Sequence, residues 1–93
     1  MNIEHHQGIK RGYFKAVQDR REAGSMTYNW GGPGKMVIEH TEVNDDFSGK
    51  GIGKGLVIAA VEYARANKIK IQPLCPFAKV LFEKTPEIQD VLF

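Results

Sequence analysis

The chain has 93 residues, of which 42% are hydrophobic and 26% charged, with a formal net charge of +2. That length holds one domain, residues 1–93, small enough for a ligand or a weak dimer contact to matter to its stability. The slight charge excess gives no case for nucleic acid, no apolar run reaches the ~20 residues of a membrane span, and the single cysteine excludes an internal disulfide. With no basic-then-apolar leader in Met1–Gln7, these features fit a cytoplasmic protein.

In chain order, the first residues read as a flexible segment. His5 and His6 adjoin in it, and no third ligand stands at metal-binding spacing, so no metal site is expected. Gly12–Val17 alternates as a strand, followed by a polar turn over Gln18–Gly24. Ser25–Trp30 forms the next strand, with Met26, Tyr28 and Trp30 on one face as packing residues. Gly31-Gly32-Pro33-Gly34 is a loop. Lys35–Val43 is the longest strand, and simple alternation puts Met36, Ile38, His40 and Glu42 on one face.

A helix is predicted over Ile52–Asn67, where Ile52, Leu56, Ala59, Ala60, Tyr63 and Ala64 build a wide apolar face. Ile69–Leu74 is a short strand. Cys75-Pro76 opens a second helix to about Lys84, since proline suits a first helical turn. Ile88, Val91, Leu92 and Phe93 make a final strand or a docked tail. Three antiparallel strands, a helix, a strand, a helix and a tail amount to an α+β fold.

Between the long strand and its helix stands Ser48-Gly49-Lys50-Gly51-Ile52-Gly53-Lys54-Gly55. Glycines leave backbone N–H groups unobstructed and a helix start adds a partial positive charge, so this junction suits a phosphate or diphosphate. A nucleotide P-loop needs Ser or Thr after Gly53-Lys54, and Gly55 stands there. The dinucleotide fingerprint fails because Lys54 occupies its third glycine position. A glycine-rich turn without a ligand is the remaining reading from these residues alone.

The loop also resembles the acyl-coenzyme A motif [RQ]-x-x-G-x-[GA] of the GNAT acetyltransferase superfamily, with Gly51-Ile52-Gly53 as its G-x-G and Val43, Phe47 and Leu56 at flanking family positions. Ser48 replaces the motif's Arg or Gln, which removes a side-chain contact and leaves the backbone cradle. From Ile38 to Val91 the chain is similar to very small single-domain GNAT-like proteins. The marks are His40-Thr41-Glu42-Val43, the loop Gly49–Gly53, the junction Pro73-Leu74-Cys75-Pro76-Phe77-Ala78, and the terminal Gln89-Asp90-Val91.

The resemblance implies a mostly antiparallel GNAT-like sheet with two helices. Acetyl-CoA or coenzyme A would be its substrate, and an amine of a protein, peptide or small molecule the acceptor. Thr41, Val43, Gly49, Lys50, Gly51, Ile52, Gly53 and Lys54 are the implied binding residues. Cys75 and His40 are the implied catalytic ones. Read alone, Cys75 at a helix start fits either an activated thiol or an inert buried one. His40 fits a packed core histidine, and the resemblance adds a general-base role. Longer GNAT enzymes wall their acceptor groove with two helices between early strands. Only a turn separates Val17 from Ser25, so the acceptor side should be open or completed by another protein. The alternative is a non-catalytic acyl-CoA-binding module.

Overall fold

Four strands follow one another as an antiparallel meander: β1 (Asn2–Gln7), β2 (Arg11–Gln18), β3 (Arg21–Trp30) and β4 (Lys35–Val43). The computed structural model describes every residue, 1–93. After β4 the chain makes a 3-10 turn (Asp45–Phe47) and crosses the sheet as α1 (Ile52–Asn67). It returns as β5 (Lys70–Pro73), parallel to β4, then forms α2 (Pro76–Lys84) and a second 3-10 turn (Pro86–Val91). The sheet order is β1-β2-β3-β4-β5. This is the expected α+β arrangement, a mostly antiparallel sheet with two α-helices.

One face of the sheet carries the core. Phe14, Ala16, Met26, Tyr28, Met36 and Ile38 pack under Leu56, Val57, Ala60, Val61 and Ala64 of α1, with Ala78 and Phe82 of α2 and Ile88 and Val91 of the last turn closing one end. The other face has no covering layer, and Tyr13, Thr27, Glu39, His40 and Glu42 are exposed on its strands. No helix is long and apolar enough to cross a membrane.

Several expectations need correction. The N-terminal segment is not flexible but the edge strand β1, in register with β2 from Asn2↔Val17 to Gln7↔Gly12. His5 holds it down by stacking on Phe14, with centroids 4.1 Å apart. The turn predicted over Gln18–Gly24 shrinks to Asp19 and Arg20, both left-handed (φ 53° and 64°), and β3 takes the rest. Of the two readings of the tail, the docked one holds: Pro86–Val91 is a 3-10 turn and Leu92 makes a single parallel bridge to Ile71.

The largest correction concerns β4. Thr27 lies opposite His40 but Tyr28 lies opposite Ile38, so Glu39 is an extra residue, a β-bulge. Alternation flips across it. Thr41, opposite Met26, turns to the helix side, whereas His40 and Glu42 turn to the uncovered face. His40 therefore does not share a face with Met36 and Ile38.

Candidate functional site

The glycine junction forms a concave cradle of backbone at the start of α1. Asn44 caps the 3-10 turn by accepting from the Asp46 N–H at 3.0 Å. Buried Phe47 anchors that turn in the core. Gly49 and Gly51 then take left-handed conformations (φ 78° and 74°), each with open space where a β-carbon would stand. Gly51 is the N-cap of α1, and no side chain bonds the free N–H groups of the first helical turn. Those donors point outward with the positive end of the helix dipole behind them. Beside them lies a cavity of about 470 Å³, lined by Val43, Phe47, Gly51, Gly53, Lys54 and Phe77 among others.

Below the cradle, β4 and β5 part. Their register ends at Ile38↔Pro73. The Ile38 carbonyl then accepts from both Leu74 N–H (2.9 Å) and Cys75 N–H (3.2 Å), and the chain turns into α2. Beyond the bulge, Thr41–Val43 pair with β3 on one side and with no strand on the other. The opening is a fork with Cys75 at its apex.

Cys75 is the N-cap of α2 and only 4% exposed. Its Sγ lies 3.4 Å from the Thr41 Oγ1. Burial pushes the thiol up. Hydrogen bonding to the Thr41 side chain and to backbone groups of Ala78, Phe77 and Thr41 outweighs it, so the thiol titrates below its ordinary value. Sequence reasoning did not connect Thr41 to Cys75, because only the bulge turns the hydroxyl to that side.

His40 is not brought to this fork. Its Nε2 lies 3.0 Å from Glu42 Oε1 on the uncovered face, and both side chains are well exposed. Lys54 lines the cavity, while Lys50 approaches the Phe47 ring at 5.7 Å from the centroid. Phe77 and Leu81, from α2, wall the cavity and were not singled out as site residues. The Cys-x-aromatic spacing was the available signal for Phe77.

A family model described as GCN5-related N-acetyl-transferase matches residues 12–91. A GCN5-like protein from Staphylococcus aureus, solved in solution, is 37% identical with a TM-score of 0.72, over 99% of this chain and 89% of that one. The ribosomal-protein-alanine N-acetyltransferase of Brucella melitensis has the same fold at 21% identity and a TM-score of 0.70. The match covers 81% of this chain but 60% of that one. A streptothricin acetyltransferase-like protein from Bacillus anthracis, crystallised with acetyl coenzyme A, matches at 18% identity and a TM-score of 0.60, over 71% of this chain and 39% of that one. No curated protein matches the sequence. Family match, fold and glycine junction agree over nearly the whole chain, which belongs to the GCN5-related N-acetyltransferase family.

Proposed function

We propose that the protein binds acetyl-CoA with its diphosphate on the cradle Gly49–Gly53 and transfers the acetyl group to an amine. The observation that carries this reading is the fork: β4 and β5 part after Ile38↔Pro73, Cys75, whose thiol has a lowered pKa, stands where they part, and Phe77 two residues on reaches Gly53 of the cradle. The stretch of β4 past Ile38, which no strand pairs on the fork side, suits the amides of an extended pantetheine arm near Val43, and Lys50 and Lys54 offset phosphate charge.

In this reading the Cys75 thiolate attacks the thioester carbonyl. A carbon–sulfur bond to Cys75 forms, the bond to the coenzyme A sulfur breaks, and coenzyme A leaves as a thiolate that takes a proton from solvent. The amine then attacks the acetylated sulfur, frees the Cys75 thiolate, and loses its extra proton to solvent. His40 faces away from this path, so Cys75 is preferred to it as the reacting group. The uncovered sheet face leaves the acceptor side open, which suits an amine carried on a protein or peptide.

One observation favours a second reading, a non-catalytic acyl-CoA-binding module: at 4% exposure Cys75 is nearly sealed from solvent. Two measurements decide. Coenzyme A at about 100 times Kd should stabilise the fold by ~2.7 kcal/mol, a melting shift on the order of 10–20 °C for a domain this size. Gly51→Val should abolish the shift. No shift at millimolar coenzyme A refutes both readings, while a shift without turnover of acetyl-CoA leaves the module.

A further inference from the structure

Arg21, the first residue of β3, reaches across to the segment that leads into the cradle. Its guanidinium donates to the Asp46 carboxylate at 2.5 Å and lies over the Phe47 ring, 5.1 Å from the centroid. Two more bonds join the same stretches. The Asn44 N–H donates to the Ala23 carbonyl at 2.8 Å, and the Asn44 side-chain amide donates to the Glu22 carbonyl at 3.3 Å. Residues 21–23 thus hold residues 44, 46 and 47.

Two irregularities of the β2–β3 hairpin make this reach possible. Asp19 and Arg20 both adopt left-handed conformations, which give the tight, strongly twisted two-residue turn. Such conformations are unfavourable for residues other than glycine and persist where the surroundings hold them. The β2–β3 register also shifts, with Ala16 opposite Gly24 and Val17 opposite Glu22. Ala23 is left without a partner on β2, and its carbonyl accepts from Asn44 on the β4 side.

The ion pair does little for the fold as a whole. The Arg21 and Asp46 side chains are 54% and 63% exposed, and an exposed pair contributes ~0–1 kcal/mol to folding. Its local effect is larger in kind. It joins the start of β3 to the 3-10 turn that leads into Gly49–Gly53.

We propose that Arg21 is a positioning residue for donor binding. Acting through Asp46 and Phe47, it braces the loop so that the cradle N–H groups are already convergent when a polyphosphate arrives. This rests on the acyl-CoA reading above, and it makes the β2–β3 hairpin part of the donor site.

Electrostatics and bracing predict opposite results for one variant. Asp46→Asn removes a negative charge beside an anion site, so charge alone predicts tighter coenzyme A binding. The brace predicts weaker binding. By isothermal titration, Arg21→Gln and Asp46→Asn should each weaken coenzyme A about threefold, and the double variant should be no weaker than either single one. In the unliganded protein, the amides of Phe47 and Ser48, bonded to the Asn44 and Asp45 carbonyls, should exchange about threefold faster in both variants. Amides in the middle of α1 should keep their rates. Coenzyme A binding that is unchanged or tighter in Asp46→Asn overturns the brace, as do unchanged rates at Phe47 and Ser48. If the native protein fails to bind coenzyme A, the acyl-CoA reading falls, and the exchange rates still decide the brace.

Discussion

Phe77 occupies the space that a side chain on Gly53 would need: a β-carbon there would stand 2.7 Å from the ring Cζ. The three nearest atoms all belong to that ring, so this single contact sets the demand for glycine at position 53. It also seats α2 against the first turn of α1 and walls the cradle.

The sign of a glycine substitution at position 53 should therefore depend on residue 77. In the native background, Gly53→Ala pushes the half-exposed ring aside and lowers stability. In a Phe77→Ala background the collision is gone. There Gly53→Ala should raise stability by ~0.5–1 kcal/mol through helix propensity, roughly 2–8 °C for a domain of this size. Melting curves of the four proteins test this, and the same sign in both backgrounds would contradict it.

The Thr41 hydroxyl should set the reactivity of Cys75. Burial raises the thiol and hydrogen bonds lower it past its ordinary value of 9.0. Thr41→Val removes one of those bonds, so the pH midpoint of iodoacetamide labelling should move up and labelling at neutral pH should slow. Cys75→Ala should keep the coenzyme A melting shift and lose acetyl transfer, with His40→Ala near native activity. The reverse pattern, a slowed His40→Ala and an active Cys75→Ala, would move the chemistry to His40.

His5 should make the fold sensitive to mild acid. It shares a 2.6 Å hydrogen bond with the Tyr28 hydroxyl, whose pKa is pushed up to about 12, by burial first and by Tyr63 second. Tyr28 therefore keeps its proton, and its hydroxyl and the neutral imidazole share that bond. Burial first, and the nearby His6 second, hold His5 below its ordinary 6.5. From α1, Tyr63 meets the ring edge-on and Glu62 is the carboxylate lining the same groove. Because the folded value is depressed, the unfolded chain takes up the proton first. The contribution of His5 is full above pH 6.5 and declines as pH falls toward its folded value. Melting temperature should drop between pH 7.5 and 5.5, and His5→Gln, which retains an acceptor for Tyr28, should flatten that part of the profile.

What the sequence disclosed was local. The spacing Gly49, Gly51, Gly53 and the apolar face from Ile52 place α1 and the cradle without tertiary information, and Pro76 places Cys75 at a helix start. β1 was hidden because its inward positions are Ile3 and His5, and a histidine that packs as an aromatic ring gives no apolar period. The side taken by His40 and Thr41 was hidden for a different reason. The extra residue at Glu39 has no local signature and follows from how β3 and β4 pair. The Arg21 brace joins two segments far apart in the chain, beyond what any short motif can encode.

The strand order has a consequence for assembly. From β1 to β4 every pairing joins chain neighbours through a short connection, so that part of the sheet can form from contacts of small sequence separation. The parallel pairing of Lys35–Ile38 with Lys70–Pro73 is different. It closes only after α1 has crossed the sheet, which makes it the costliest loop to shut. The fork is the far end of that closure. A nascent chain can therefore carry most of its hydrogen-bonded sheet before the fork between β4 and β5 exists.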